Sequence, residues 1–306
     1  MIVVFGSINT DLVIEVASLP RPGETVLAPD YRAVPGGKGA NQALAARRAG
    51  GEVWMYGCVG NDEFATVALE LLERDGVDLS GLARSDKATG CAAVLVAPDG
   101  ENQIVVASGA NRDARMTSVP DRALGPGTTL ILQLEVDTAE TTALIARARA
   151  LGARIVLNAA PAAPLPEAAL AALDVLIVNQ LEATMLAEVV GCPASDAATA
   201  ARRLVDRLGC LVVATLGHDG SIAIGANETW HVDALPIAAR DTTGAGDTFA
   251  GVFAGALDGG ASVDDALARA SVASALACRE IGAQQSIPTA AIIDARLGEI
   301  DPPRRD

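Results

Sequence analysis

Residues 130–157 read LILQLEVDTAETTALIARARALGARIVL, and this stretch decides the fold class. It opens with the apolar run Leu130–Leu134 and closes with a second run, Arg154–Leu157. Between the two runs, the Ala-rich segment Thr138–Ala150 has the length of a helix. Short, continuous apolar runs are typical of strands that are buried on both faces of a parallel sheet. The stretch therefore predicts one strand–helix–strand unit.

The same alternation extends along the chain in both directions. The further apolar runs are Ile2–Phe5, Val53–Cys58, Val175–Val178 and Leu211–Thr215, and the further helical segments are Lys38–Ala49, Glu63–Arg74, Leu181–Val190 and Ala197–Leu208. Strands that alternate with helices predict a Rossmann-like, doubly wound α/β fold with a mostly parallel sheet. Later in the chain, Ser221–Gly225 and Glu228–Val232 predict a hairpin, and two helices are predicted near residues 246–258 and 262–278.

Two regions, residues 11–36 and 88–107, interrupt this alternation with strand–turn–strand patterns. The predicted strands are Leu12–Val16, Glu24–Arg32, Thr89–Val96 and Asn102–Ala107, with turns at Pro20–Gly23 and Pro98–Glu101. No helical segment separates the two strands of a pair, so each pair predicts a hairpin. We predict that the hairpins form one small sheet over an α/β core of residues 1–10, 37–87 and 108–306. Two unrelated surface hairpins are the alternative.

The composition excludes several classes of protein. With 306 residues, 50% hydrophobic and 20% charged, the chain is globular rather than disordered. Its net charge, 23 − 38 = −15, argues against nucleic acid or an anionic membrane as the main partner. Because the chain has only two histidines, it has few residues for a histidine-based metal site or a Ser-His-Asp triad. Five dispersed cysteines, a start that reads as a strand and the absence of a long apolar run predict a reduced, cytoplasmic protein.

The sharpest functional pattern is RDTTGAGDTFAG at residues 240–251. Gly244 and Gly246 permit a tight turn before a predicted helix, and free backbone N–H groups at such a helix start form an anion cradle. A carboxylate there, Asp247, opposes simple anion binding. We interpret it as the acceptor of a proton from a hydroxyl that attacks phosphorus; an Asp that caps its own helix is the alternative. The chain matches neither the P-loop nor the dinucleotide-binding fingerprint.

Other polar groups lie at predicted helix starts and strand ends. In PGGKGANQA at residues 35–43, Lys38 and Asn41 suit a polyhydroxylated ligand; a Gly-rich turn with a solvated Lys is the alternative. Asn9 and Asp11 follow the first strand, where open α/β sheets bind ligands, although an Asx turn explains them equally well. Polar residues also end four further strands, at Gln133–Glu135, Asn158–Pro161, Asn179–Glu182 and Thr215–Gly217. They predict a cleft along one sheet edge, with loop caps as the alternative.

Taken together, these motifs resemble the signature regions of the ribokinase-like carbohydrate kinases. The resemblance runs from Val3 to Pro288, with Gly6–Asp11, Gly36–Asn41 and Asp241–Phe249 in the expected order. It implies ATP-dependent phosphorylation of the 5-hydroxyl of D-ribose, and a β-sheet lid at residues 11–36 and 88–107 that also makes a homodimer contact. A sister kinase for another sugar or a nucleoside, or a catalytically silent sugar or nucleotide sensor, is the alternative.

The resemblance also implies roles for individual residues. The base is Asp247, and the anion hole is Gly244, Ala245 and Gly246. The sugar contacts are Asn9, Asp11, Gly37, Lys38, Asn41, Glu135 and again Asp247. The nucleotide contacts are Asn179, Thr215, Gly217, Gly220 and Ser271, and Glu182 matches the residue that orders Mg²⁺ and phosphate. A monovalent-cation (K⁺) loop carries over to Asp241, Thr243, Ala277, Glu280, Gly282 and Ser286, mostly through backbone oxygens.

Overall fold

The computed structural model describes residues 1–98 and 101–306, and within them it confirms the α/β fold class. The strands are β1 (Ile2–Phe5), β2 (Asn9–Glu15), β3 (Arg32–Gly36), β4 (Val53–Gly60), β5 (Asp78–Ser85), β6 (Gly90–Val96), β7 (Asn102–Ala107), β8 (Thr129–Leu132), β9 (Arg154–Asn158), β10 (Val175–Asn179), β11 (Leu211–Thr215), β12 (Ser221–Ile224), β13 (Thr229–Val232) and β14 (Arg304–Arg305). The helices are α1 (Lys38–Arg48), α2 (Glu63–Arg74), α3 (Thr138–Leu151), α4 (Glu167–Leu170), α5 (Gln180–Val189), α6 (Ala197–Leu208), α7 (Ala245–Asp258), α8 (Val263–Ala277) and α9 (Ala290–Arg296). Asp99 and Gly100, in the predicted turn at Pro98–Glu101, lie outside the described residues.

The large sheet runs in the order β14–β13–β12–β11–β10–β9–β8–β1–β4–β5. Neighbours from β11 to β5 pair parallel, whereas β12, β13 and β14 add antiparallel strands at one edge. Along β1, Ile2 and Val4 face the core under α1, α2 and α7–α9, while Val3 and Phe5 face the core under α3–α6. Helices cover both faces, and for this reason the central strands read as continuous apolar runs.

The smaller sheet has the order β3–β2–β6–β7. Antiparallel pairs β2–β3 and β6–β7 are joined by parallel pairing of β2 with β6, so the two predicted strand–turn–strand regions belong to one sheet. The predicted strand Glu24–Arg32 is wrong, because β3 pairs with β2 through Arg32–Gly36 instead. Residues 24–31 are mostly exposed, and Pro29 among them has no N–H to donate to a ladder.

Most of the predicted site residues lie where the parallel strands end. The carboxyl ends of β8–β11 lie together at one end of the parallel strands. The starts of α1, α5 and α7 lie at the same end, and the small sheet begins there at Asn9. Crevices at this end are the usual ligand sites of open α/β sheets. Within the described part of the chain, none of the helices combines the length and the apolar character that a membrane span requires.

Candidate active site

The glycine-rich segment forms the start of α7. Gly244 is the N-cap residue, with φ 75°, and a Cβ there would lie 2.8 Å from the Cβ of Ala283. Both its conformation and its packing therefore require glycine. A Cβ on Gly246 would have no described residue within 4 Å, so this glycine faces open space. The Ala245 N–H donates to the Thr242 carbonyl at 3.2 Å, whereas the N–H groups of Gly244 and Gly246 have no partner within the described residues.

Asp247 lies in the first turn of α7 and is 5% exposed. Two side-chain amides hold its carboxylate: Asn41 Nδ2 donates to Oδ2 and Gln42 Nε2 donates to Oδ1, each at 2.9 Å. No side chain caps α7 among residues that the structure describes, so the alternative that Asp247 caps its own helix is wrong. A fixed, buried carboxylate thus lies beside free backbone N–H groups.

The charges around Asp247 are mostly negative. Lys38 lies among Asp11, Glu135, Glu182 and Asp247, and Asp247 contributes most to raising the pKa of this lysine above its ordinary value. Burial, followed by the charges of Glu135 and Asp247, raises the pKa of Asp11 to about 7. Burial also raises the pKa of Glu182. A polyphosphate ligand at this site would therefore need cations as well as backbone N–H groups.

Hydrogen bonds from neighbouring residues hold two of the predicted sugar contacts in place. Glu135 Oε2 accepts from Ser7 Oγ at 2.7 Å and from the Lys38 backbone N–H at 3.1 Å. Asn111 Nδ2 donates to Asn9 Oδ1 at 2.7 Å, while Asn111 Oδ1 accepts the Ile8 backbone N–H at 2.9 Å. Because Asn9 Oδ1 is an acceptor in this pair, its Nδ2 is left as a donor for a ligand.

Two buried acceptors in this region, Asp11 Oδ1 and Asn41 Oδ1, have no hydrogen-bond partner among residues 1–98 and 101–306. Hydroxyl groups of a polyol would satisfy them. Packing within the chain requires the adjacent glycines. A Cβ on Gly36 would overlap the Asp11 carboxylate, and a Cβ on Gly37 would lie 2.7 Å from the Asn9 backbone nitrogen. Glycine at these two positions therefore permits the close approach of β2, the strand that carries Asn9 and Asp11.

A cavity of about 530 Å³ adjoins the start of α7 and includes Ala245 and Gly246 in its wall. Four predicted nucleotide contacts line it: Thr215, Gly217, Gly220 and Ser271. The Ser271 hydroxyl lies 2.7 Å from that of Ser221, and much of the remaining wall is apolar. A largely apolar cavity beside an anion cradle has the shape and chemistry for a nucleobase with its sugar.

Asn179 and Glu182 lie outside that cavity wall. They form the capping box of α5, in which the Asn179 side chain accepts the Glu182 N–H and Glu182 Oε2 accepts the Asn179 N–H, both at 2.8 Å. Glu182 Oε1 makes no hydrogen bond within the part of the chain described. Magnesium commonly takes one or two carboxylates together with substrate phosphates, and Glu182 fits that use. The described residues contain no cluster of three or more His, Cys, Asp or Glu that would hold a metal alone.

The predicted cation residues lie on two adjoining segments. Asp241 joins them, because Oδ1 accepts the Thr243 N–H at 2.9 Å and Oδ2 accepts the Gly282 N–H at 2.8 Å. Ala277, Glu280 and Ser286 lie on the same segment as Gly282. The Ala277 carbonyl accepts the Glu280 N–H, and the Ser286 hydroxyl donates to the Ala283 carbonyl. The Glu280 side chain is exposed. Carbonyl oxygens, which replace the hydration shell of K⁺ in proteins, are thus the donors that fit a monovalent cation here.

Three residues that contact this machinery, directly or through one another, were given no individual role from the sequence. They are Gln42, Gln133 and Asn111, all buried amides. Gln42 follows Asn41 in the glycine-rich motif, and Gln133 stands two residues before Glu135 at a strand end. The positions of Gln42 and Gln133, close to Asn41 and Glu135, were a signal, but an uncharged amide carries no sign of its partner until the fold is known.

The site has the parts of a phosphotransferase that acts on a small hydroxylated acceptor: a buried carboxylate, an anion cradle, a polar pocket and an apolar cavity. The family model described as pfkB family carbohydrate kinase matches residues 1–290. A ribokinase of Schizosaccharomyces pombe is 36% identical over 306 residues, covering 96% of each chain. Of solved structures, Thermotoga maritima ribokinase superposes with a TM-score of 0.90 at 30% identity, covering 97% of this chain and 99% of its own. Arabidopsis thaliana ribokinase complexed with ribose and ATP superposes with 0.85 at 29% identity, covering 97% and 98%. The chain belongs to the pfkB family of carbohydrate kinases.

Proposed function

We propose that the protein is an ATP-dependent kinase that transfers a phosphoryl group to the 5-hydroxyl of D-ribose. The observation that carries this proposal is the position of Asp247. Its carboxylate stands between the polar pocket, where Asp11 and Asn41 have unpartnered acceptor atoms, and the start of α7 beside the 530 Å³ cavity. The Arabidopsis relative that shares the fold was solved with both ribose and ATP.

In this mechanism Asp247 accepts the proton of the attacking hydroxyl. Phosphoryl transfer passes through a loose transition state, so most of the catalysis comes from positioning and from charge stabilisation. Asn41 and Gln42 hold the carboxylate on both oxygens, and the free N–H groups of Gly244 and Gly246 stabilise the charge on the transferred group. Ala245 then contributes through the helix start rather than through its own N–H, which is already engaged.

The remaining predicted contacts orient the sugar. Asn9 offers an amide donor, Lys38 an ammonium group, and Asp11 and Glu135 offer carboxylate acceptors to the ring hydroxyls. Gly37 and Asn41 complete the set at the start of α1. The small sheet, which begins at Asn9 beside the pocket, would act as a lid that excludes water as a competing phosphoryl acceptor.

The mechanism needs bound cations for an electrostatic reason. The single positive charge of Lys38 is outnumbered by the negative charges of the carboxylates around it. When bound, Mg²⁺ neutralises charge on the nucleotide phosphates, and Glu182 is the residue we assign to ordering it. K⁺ would lie against carbonyl oxygens of the segments that Asp241 joins. Those segments adjoin the anion cradle, because Ala283 packs against Gly244.

We also propose a cytoplasmic homodimer that associates through the small sheet. The edge strand β7 is exposed along its whole length, and Ile104, Val105 and Val106 are 50%, 71% and 46% exposed. An exposed apolar edge strand is a ready surface for pairing with a second copy. Five free cysteines suit a reducing compartment. Sedimentation equilibrium of the protein and of Val105→Glu tests the assembly, with a monomeric variant expected.

A substrate panel tests the function. ATP and Mg²⁺ would be supplied with D-ribose, 2-deoxyribose, fructose or a nucleoside, each with and without K⁺, and turnover followed by ADP release. We expect the highest kcat/KM with ribose, stimulation by K⁺, and a product whose phosphate is on the 5-oxygen by ³¹P–¹H NMR. A higher kcat/KM for a nucleoside would identify a sister kinase, and calorimetric sugar binding without turnover would identify a sensor.

A further inference from the structure

We propose that Gln42 is a positioning residue for the Asp247 carboxylate, and that Asn158 and Gln133 set the orientation of the Gln42 side-chain amide. The inference rests on the proposed function, because positioning Asp247 matters only if this carboxylate accepts the hydroxyl proton. None of the three residues is among the predicted ligand contacts.

The Gln42 amide is fully buried and uses each of its polar groups once. Nε2 donates one hydrogen to Asp247 Oδ1 at 2.9 Å and the other to Asn158 Oδ1 at 3.0 Å. Oε1 accepts from Gln133 Nε2 at 2.8 Å. A flip of this amide would turn Oε1 toward two oxygen acceptors and Nε2 toward a nitrogen donor, so all three contacts would become repulsive.

The orientation of this network is anchored to the sheet. Asn158 Nδ2 donates to the Ile177 carbonyl at 3.3 Å, which leaves Asn158 Oδ1 to face Gln42. Asn158 ends β9 and Gln133 directly follows β8, so two adjacent strands determine how α1 presents Gln42 to α7. The carboxylate of the reaction is thus tied to the carboxyl edge of the parallel sheet.

Gln133 is hard to explain by stability alone. It is fully buried. Its Oε1 lies close to the Gly6 backbone and has no hydrogen-bond partner among the described residues. An unpartnered buried acceptor lowers stability, and an apolar side chain of similar size would avoid that loss. Its Nε2 donates to Gln42 Oε1. This hydrogen bond needs an acceptor at that position, so it fixes the orientation of the Gln42 amide, and this is the role that we assign to Gln133.

Together with Asn41, which donates to Oδ2, Gln42 holds both oxygens of Asp247 and prevents rotation of the carboxylate about its Cβ–Cγ bond. The remaining lone pairs then keep a fixed direction toward the sugar pocket. Neutral amides achieve this without adding a positive charge that would compete for the carboxylate. Preorganisation of this kind affects kcat more than substrate affinity.

The test compares Gln133→Glu with Gln133→Met. An ionised carboxylate at position 133 can only accept, so it favours the flipped Gln42 amide; when protonated, it donates to Gln42 Oε1 and restores the original orientation. We expect kcat of Gln133→Glu to be about tenfold or more below that of the parent at pH 8.5 and to recover on acidification to pH 6. Gln133→Met should lose a few-fold in kcat at every pH. The other charged groups that face the site, Asp11, Lys38, Glu135 and Asp247, are the same in both variants, so the difference between the profiles isolates position 133. KM for ribose and for ATP should stay near the parent values.

Ile145→Ala serves as the control, since Ile145 is a fully buried core residue on α3 outside this network. It should lower Tm without changing the pH profile of kcat. Parent-like kcat for both Gln133 variants at all pH values, or equal pH-independent losses, would overturn the proposal.

A second readout does not depend on turnover. The chain has six glutamines, so selective ¹⁵N labelling gives few side-chain amide signals, assignable by single Gln→Met variants. Gln133→Met and Asp247→Ala should each shift the Gln42 signal, even if the parent does not phosphorylate ribose. An unchanged Gln42 signal in both variants would show that the network does not exist in solution. Failure of the ribose assay alone would count against the proposed function and not against this geometry.

Discussion

The two halves of the candidate site are built in opposite ways. The half that we propose binds the sugar, here called the sugar half, is dense with buried carboxylates and amides that are already hydrogen-bonded to one another, as at Asn41, Gln42 and Asp247. The half that we propose binds the nucleotide, here called the nucleotide half, is a cavity of about 530 Å³ with glycines and apolar side chains in its wall, such as Phe249 and Leu235. A polyol offers many hydroxyls and needs directed partners, whereas a nucleobase can be held mainly by shape. Substitutions in the first half should therefore change chemistry and pH dependence, and those in the second should change affinity for ATP.

The largest expected effect is that of Asp247→Asn. The change keeps the size of the side chain and removes the proton acceptor, so kcat should fall by about 10³-fold or more while ribose binding by calorimetry stays within a few-fold. Asp258→Asn at the far end of α7 is the control; it loses an ion pair with the Met1 amine and should lower stability without lowering kcat. Near-parent kcat in Asp247→Asn would remove this residue from the reaction.

Two Gly→Ala substitutions in the anion cradle, which lies between the two halves, test how the site is divided. Gly244→Ala meets both a left-handed φ and the Ala283 side chain, so the free energy of unfolding should fall by more than about 1 kcal/mol. Gly246→Ala has open space and should leave unfolding unchanged, yet its methyl group points toward the ligand cavity. Both should lower kcat by about 10²-fold. Full activity in Gly246→Ala would place the cradle elsewhere.

Asp11→Asn should separate binding from stability in the sugar half. The pKa of Asp11 is raised to about 7 from 3.8, so between these pH values the folded state binds more protons than the unfolded state. Stability contributed by this group therefore falls as pH rises through that window. The variant should have a higher Tm than the parent at pH 8 and the same Tm near pH 4, with KM for ribose raised about tenfold. A lower Tm at pH 8 would contradict the burial argument.

The smallest effect is expected in the nucleotide half. Ser271→Ala removes the bond to Ser221 and should raise KM for ATP about twofold to threefold, with KM for ribose unchanged and about 1 kcal/mol lost from the free energy of unfolding. Ser274→Ala, on the same cavity wall, is the matched control and should change KM for ATP less. A large loss of kcat in Ser271→Ala would mean that the halves are not divided as described.

The longer helices and the central strands could be predicted from the sequence to within a residue or two, whereas the short helices α4 and α9 were not predicted. Glu63–Arg74 and Ala197–Leu208 have the predicted bounds, because their apolar periodicity and their Asp N-caps are local signals. Strand β5 was not predicted, since Asp78–Ser85 contains charged and small residues. Gly81 has no local strand signal there, and its use is tertiary: a Cβ on it would overlap the Tyr56 ring. The bounds of the strand after the Pro20–Gly23 turn were predicted wrongly for a similar reason, because β3 lies at Arg32–Gly36 and Gly36 lies against Asp11.

Within the site, the sequence determined which residues have the chemistry, since glycine conformations, charges and motif order are local properties that do not depend on distant partners. Asp247, Lys38 and the Gly244–Gly246 turn could be identified on that basis. Only the tertiary structure decided how the groups are held. The amide of Gln42 has two donors and one acceptor, and which way it faces depends on Asn158 and Gln133, more than ninety residues away in the chain. Such orientation is a property of a closed hydrogen-bond network, and a network exists only once the strands and helices have been brought together.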